Sequence, residues 1–379
     1  MDLIGIDLNA TRLLAVGGPD GAPPHALPVT GAQTELPLAI SLEKRRPEVG
    51  QAAVAMCRRS PHLVCRDFLA HLGTERIWAV GRHKLDAAKA TALVLDLLRS
   101  AGKASAGVVC TVPAYLTADQ VARLRKLAEK ARLPCLGLAA APLALAWAAR
   151  MEEPWPELAM VADVDEHALS WTAFSVSEGR VCLLGQRTLP ALGIGAWKNR
   201  LINALADRFV RQSRRDPRDS ADAEQMLYDQ LERAGDTCRP GQLVEFAVET
   251  EHWYQNLVLR PEEFLHCTAA LAQRVAAERH ALDEELTLHE PARTIFLSAA
   301  TARLPGFVDA VRDSVSPEVR ITVLSNDAAA RAAHDLAVCM HRNELPRAAF
   351  DLAIPLVRGR DGGADAFPDI DPVFRTGEW

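Results

Sequence analysis

The chain is short of the features that would place it at once. Its 8 cysteines include no Cys-x-x-Cys pair and no Cys/His ligand spacing, which argues against zinc and iron–sulfur sites. No apolar run approaches the roughly 18 residues that a membrane helix needs. The start, Met1-Asp2-Leu3-Ile4, lacks the basic and apolar regions of a signal peptide, so the expected compartment is the cytoplasm, with reduced thiols. An excess of positive charge is missing too: 43 basic side chains stand against 49 acidic ones, a net charge of -6. Such a balance gives no general attraction to nucleic acid or to an anionic membrane. The Arg-rich run with Arg208, Arg211, Arg214, Arg215 and Arg218 is interleaved with Asp207, Asp216 and Asp219. It reads as a solvated helix end or as a phosphate-binding patch, and the interleaved carboxylates favour the first.

What is present suffices for a large core: 379 residues at 49% hydrophobic content, a length that usually divides into two domains. The most regular stretch runs from Val108 to Arg150. Val108 to Val112 is apolar and β-branched and predicts a buried strand. Thr117 and Gln120 have capping-box spacing, and Val121, Leu124, Leu127 and Ala128 recur at helical intervals. A short strand from Cys135 to Leu138 follows, and Ala141-Pro142 opens another helix, with proline in the first turn where its missing N–H costs nothing. Strand, helix, strand, helix in this span is a βαβ unit with a right-handed crossover.

Two hairpins stand out elsewhere. Leu3 to Leu8 carries Asp7 into a tight turn at Asn9-Ala10-Thr11 and returns as Arg12 to Val16. Leu158 to Val164 carries Asp163 into the turn Asp165-Glu166-His167 and returns from Ala168. Helices are expected at Gln51–Cys57, Ala87–Ser100, Asn199–Phe209 and Ala221–Ala234, with Gly235 ending the last. Leu243 to Val248 and Glu251 to Leu259 predict a further hairpin. Asn326-Asp327 begins a final helix, and after His341 the composition turns to Pro, Gly, Asp and Arg.

These phrases, in this order and spacing over about residues 1–345, resemble the nucleotide-binding domain of the DnaK-type seventy-kilodalton heat-shock chaperones. Val112-Pro113-Ala114-Tyr115, Gly5-Ile6-Asp7-Leu8, Glu232-Arg233-Ala234 and Ser298-Ala299-Ala300-Thr301-Ala302-Arg303-Leu304-Pro305 carry the likeness. The resemblance implies an α/β, actin-like ATPase fold: two lobes with mixed sheets and flanking helices around a central cleft. Lobe I would span 1–155, completed by 326–345; lobe II would span 156–325; and 346–379 would be a C-terminal tail, leaving no room for the family's peptide clamp.

The resemblance also implies ATP and magnesium in the cleft, with Asp7 and Asp163 as the metal-shell and catalytic acids. The nucleotide would lie against Asn9, Ala10, Thr11, Asp165, Glu166, Glu232, Ala299, Ala300, Arg303 and Asn326. The residues themselves depart from the family at many of these points. Ala10 removes a hydroxyl, and Ala299 and Ala300 replace glycines. Gly235 and Asp236 lack the adenine clamp, and Ala141 and Ser170 replace polar or acidic groups. The water-aligning lysine falls on Leu69 or Phe68, with Arg66 a substitute only by displacement. Where the family's second phosphate turn is glycine-rich, Asp165 and Glu166 place two negative charges. At about 4 Å and an effective dielectric near 20, each like-charge pair with a phosphate costs about 4 kcal/mol. Asp163, Asp165 and Glu166 could instead form a metal site or a solvated acidic turn. The expected function is a pseudo-ATPase serving as a structural module or binding a protein partner. The alternatives are a divergent ATP-binding chaperone with weak hydrolysis and, lacking any glycine-rich phosphate loop, a small-molecule kinase.

Overall fold

The computed structural model describes residues 2–102, 105–155, 158–286 and 292–357. Leu3, Ile4, Ile6 and Leu8 are all buried, as a strand covered on both faces requires. This strand, β1 (Asp2–Leu8), turns at Asn9 into antiparallel β2 (Arg12–Pro19). β3 (Ser105–Val112) lies parallel on the other side of β1, and β4 (Cys135–Ala140) lies parallel to β3. α1 (Ala118–Lys130) makes the crossover between them, and its capping box is formed. Gln120 N–H donates to Thr117 Oγ1 at 3.3 Å and Thr117 N–H to Gln120 Oε1 at 2.9 Å. α2 (Ala141–Glu152) follows, with Pro142 in its first turn.

The second half repeats the arrangement. β5 (Leu158–Val164) is antiparallel to β6 (Leu169–Ser177), and β6 to β7 (Arg180–Leu189). α3 (Ile194–Ser213), α4 (Ala221–Thr237) and the hairpin of β8 (Val244–Glu249) and β9 (Tyr254–Leu259) come next. β10 (Thr294–Leu297) then lies parallel to β5, and β11 (Arg320–Val323) parallel to β10. The strand orders β2-β1-β3-β4 and β6-β5-β10-β11 therefore match, an antiparallel pair followed by two parallel neighbours in each sheet. The protein is α/β, with a mixed sheet in each half.

Between the sheets lie α2 and α5 (Ala328–His341). One buried cluster joins Leu3 and Val109 of the first sheet, Val161 and Phe174 of the second, Leu143 and Trp147 of α2, and Leu336 and Met340 of α5. α5 can press this closely on β1 only because Gly5 has no side chain. A Cβ there would lie 2.0 Å from Ala330 O and 2.2 Å from the His334 nitrogen.

Three features differ from the sequence reading. α3 begins at Ile194, before Asn199, and α4 runs through Gly235 to Thr237 rather than ending before it. A mid-helix glycine costs about 1 kcal/mol, which packing of Leu231 and Ala234 in the buried cluster offsets. The third concerns the tail. β12 (Ala349–Phe350) joins the first sheet beside β4, and β13 (Ala353–Pro355) joins the second beside β7. Phe350 and Ile354 are buried, and Trp147 Nε1 donates to Pro355 O at 2.9 Å. The apolar run from Phe350 to Val357 thus outweighs its polar surroundings; residues 358–379 lie outside the described residues. Among the described residues no helix is long and apolar enough to cross a membrane.

Gly5→Ala should destabilise the fold by about 3 kcal/mol or more, because the methyl meets backbone rather than a movable side chain. Urea unfolding that shows an unchanged midpoint would rule out the close seating of α5 on β1.

Candidate functional site

The turns after Asp7 and Asp163 come from different halves and meet face to face. In the first, Asn9 N–H donates to Arg12 O at 3.1 Å. The Asn9 side-chain oxygen takes the N–H groups of Thr11 and Arg12, each at 3.0 Å. The remaining N–H, that of Ala10, donates to Asp165 Oδ2 at 2.9 Å, across the two halves. In the second turn, Asp165 N–H donates to Ala168 O at 3.1 Å and Glu166 N–H to Thr11 Oγ1 at 2.7 Å. His167 and Ala168 donate to Asp165 Oδ1 at 2.9 and 3.0 Å. Every backbone N–H of both turns is engaged within the protein, and an anion-binding nest requires such donors to be free.

Asp165 is the acceptor at the centre of this arrangement. It is buried, and the Tyr115 hydroxyl also donates to its Oδ2 at 2.7 Å. Burial raises its carboxyl above the ordinary range, while the N–H groups of Ala10 and Ala168 and the Tyr115 hydroxyl pull it back down. Burial and the same carboxylate push the Tyr115 phenol well up, which keeps it a donor. The turn is held from behind by α3, whose first N–H groups have no partner inside the helix. Ile194 donates to Asp165 O at 2.9 Å and Gly195 to Glu166 O at 3.2 Å. Gly193 permits the approach, since a Cβ there would lie 2.6 Å from His167 O.

Glu166 is paired with the Arg66 guanidinium and lies 3.8 Å from Lys198 Nζ. Asp165 and Glu166 therefore do not face the cleft as two uncompensated charges, contrary to the sequence expectation. The first is solvated by protein donors and the second by protein cations. Nor do they form a metal cluster with Asp163: among the described residues no group of three or more His, Cys, Asp or Glu side chains is placed to hold an ion. Arg66 does not stand in for the family's lysine; its guanidinium is taken by Glu166 and lies 3.4 Å from the Tyr228 hydroxyl. Leu69 and Phe68 are buried in the core of the first half, and Ala141 is buried at the start of α2.

Behind the joined turns a cavity of about 170 Å³ remains between the halves, smaller than the roughly 300–1,000 Å³ of ordinary ligand pockets. Asn9, Thr11, Glu232, Ala299, Ala300, Arg303 and Asn326 line it, together with Asp7 and Asp163; Ala10, Asp165 and Glu166 do not. Asp7 already has a cation beside it. Arg12 Nη2 lies 3.6 Å from its Oδ2, and Asn9 Nδ2 donates to both carboxyl oxygens at 3.3 and 3.2 Å. Arg12 also fixes Asn326, donating to its side-chain oxygen at 2.7 Å and its carbonyl at 2.6 Å. Ala299 begins a short helix capped by Ser298. At the mouth, Arg303 Nε stands 3.5 Å from Asp236 Oδ1, and exposed Glu232 holds Lys198 Nζ at 3.2 Å. Ser170 is buried on β6, opposite Asp163 in the ladder.

Sequence reasoning passed over Tyr115, Arg12 and Lys198 as site residues. Tyr115 had a signal, its place in the Val112-Pro113-Ala114-Tyr115 phrase; the two cations had none beyond their charge. No family model matches the chain.

Burial pushes Asp163 up to about 7, and the neighbouring Asp7 adds to the rise while a Ser298 hydrogen bond opposes it. Between an unfolded carboxyl near 4 and this folded value, the native state holds a proton that the unfolded chain has lost. Stability therefore falls as pH rises through that window and stays low above it. Asp163→Asn should raise the melting temperature by a few degrees at pH 8 and by less at pH 5. Equal gains at the two pH values would show that Asp163 is not so perturbed.

Proposed function

We propose that the chain is a heat-shock-chaperone-like protein of the actin-like ATPase fold whose phosphate site is filled by its own Asp165. It is a pseudo-ATPase and acts as a structural or partner-binding module. The observation that carries this reading is the hydrogen bond from Ala10 N–H to Asp165 Oδ2 at 2.9 Å, with Asp165 Oδ1 closing the second turn. A carboxylate oxygen there takes the donor that a phosphoryl oxygen would need, and no other N–H of either turn is left to replace it. Magnesium at Asp7 would have to compete with the Arg12 guanidinium, which lies 3.6 Å from Asp7 and also pairs with Glu35 at 2.8 Å. The adenine slot lacks its clamp and is spanned by Arg303 and Asp236.

A divergent ATP-binding chaperone is the second reading. It is favoured by the surviving cavity, which keeps Asp7, Thr11, Asp163 and Arg303 together between the halves.

Thermal unfolding with millimolar Mg-ATP separates the two. Ligand at a hundredfold excess over its dissociation constant adds about 2.7 kcal/mol of stability, a rise of a few degrees for a chain of this size. No rise is expected. The double change Asp165→Gly with Glu166→Gly frees Ala10 N–H and leaves Arg66 and Lys198 as cations beside the turn. Calorimetric titration of that variant should detect ATP binding, even though loss of a paired buried charge lowers stability by about 3–5 kcal/mol. Phosphate release should stay at background, because Leu69 and Ala141 supply no polar group. Stabilisation of the unmodified protein by ATP together with phosphate release would reinstate the working ATPase.

A further inference from the structure

Beside the cavity, the two halves share a buried seam. α4 carries both: Leu231, Glu232, Gly235 and Asp236 line the cavity, while Gln225 and Tyr228, toward the start of the helix, reach the first half. Gln225 is 1% exposed. Its Oε1 accepts from the N–H groups of Arg58 and Arg59 at 2.7 and 3.3 Å, and its Nε2 donates to Val54 O at 3.1 Å. One glutamine thus closes three main-chain groups at the end of the short helix Gln51–Val54, all in the opposite half. Around it one apolar cluster unites Ala53, Cys57 and Val64 of the first half with Leu201, Leu227 and Tyr228 of the second. The Arg58 guanidinium lies 5.1 Å from the centre of the Tyr228 ring and pairs with Glu224 at 3.4 Å. It also bonds Asn199 of α3, and Arg59 pairs with Asp222.

We propose that this seam shuts the two halves together permanently, so that the folded protein is one rigid body whose cleft does not open by hinge motion. Parting the halves would expose the apolar cluster to water and exchange three hydrogen bonds of the Gln225 amide for water. A hinge between lobes needs an interface that separates at small cost. Here the seam continues the core. At the other edge of the sheets, β12 and β13 place one short stretch of chain in both sheets and bind the halves a second time. Gln225 makes no hydrogen bond to either facing turn. Cysteine labelling reads the parting of the halves whereas Mg-ATP titration reads the turns, so the two proposals fail separately.

The protein carries its own probes. Cys57 is 5% exposed within the seam, and Cys110 is 4% exposed in the middle of the first sheet. Cys238, at the end of α4, is partly exposed. The unmodified protein would be treated with iodoacetamide across low urea concentrations, and labelling of each cysteine read by peptide mass spectrometry. With a permanent seam, Cys238 is modified rapidly, while Cys57 and Cys110 are modified slowly, at similar rates and with the same steep urea dependence. Both would then require unfolding of the whole unit. Millimolar Mg-ATP should leave the ratio of the two rates unchanged. Gln225→Ala should create the missing hinge, so that Cys57 outruns Cys110 in that variant alone. If Cys57 is modified at least about tenfold faster than Cys110 in the unmodified protein, with a weaker urea dependence, the halves part without unfolding. The proposal is then overturned.

Discussion

A carboxylate taken out of water must find donors, and Asp165 finds them in both halves of the chain. Two N–H groups come from its own turn, one from Ala10 in the facing turn, and a hydroxyl from Tyr115. Each hydrogen bond to a charged group contributes about 1.5–3 kcal/mol, and a buried charge left without one costs more than the bond was worth. That asymmetry sets the spacing of the two turns. It also fixes the direction of Glu166, whose N–H must reach Thr11 Oγ1. The start of α3 follows, since its free N–H groups meet the carbonyls of Asp165 and Glu166. The centre of the molecule is arranged around one side chain.

The same residues read differently as text and as geometry. An acidic pair in place of glycines suggests repulsion of a phosphate, by about 4 kcal/mol per close contact at moderate dielectric. That estimate assumes nothing stands near the acids. In the fold, Glu166 lies between Arg66 and Lys198, so the Coulomb energy of that charge changes sign. Burial pulls the Lys198 ammonium down, but Glu166, Tyr228 and Glu232 more than offset it and raise it on balance. On the proposed reading, what keeps an anion from the two turns is therefore not a field of negative charge but the engagement of every backbone N–H in them.

Local features were legible in the sequence because their causes are local. The capping box of Thr117 and Gln120, the proline at the start of α2, and the two hairpins around Asp7 and Asp163 each depend on residues within a few positions. The decisive contacts are not of that kind. Ala10 and Asp165 are 155 residues apart, and Arg58 and Gln225 are 167 apart. No periodicity or spacing encodes such a pairing, so although the resemblance set both turns on one cleft, Ala10 could be seen only as a missing hydroxyl and Asp165 as an added charge or a metal ligand. The tail shows a different limit. Its composition turns to Pro, Gly, Asp and Arg, and only the apolar Phe350–Val357 run pointed to docking on the chain's own lobes or on a partner. In the fold, residues 349–355 join both sheets with Phe350 and Ile354 buried. Gly235 misled for the reverse reason: a good helix stop was overridden by packing on either side of it.

Function in a fold of this shape depends on what its interior leaves unsatisfied. A working phosphate site keeps donors waiting for a ligand, and a working hinge keeps an interface that can part at small cost. Here the turn donors are engaged by Asp165, Asn9, Thr11 and main-chain carbonyls, Asp7 has Arg12 beside it, and main-chain groups of the opposite half are engaged by Gln225. Each closure removes a means by which a bound ligand could change the protein's conformation, because a ligand shifts an equilibrium only through states it binds differently. If the halves stay shut as proposed and the facing turns keep their own donors, recognition falls to the outer faces. This is the physical sense in which a partner-binding module, rather than a nucleotide-driven machine, suits the arrangement.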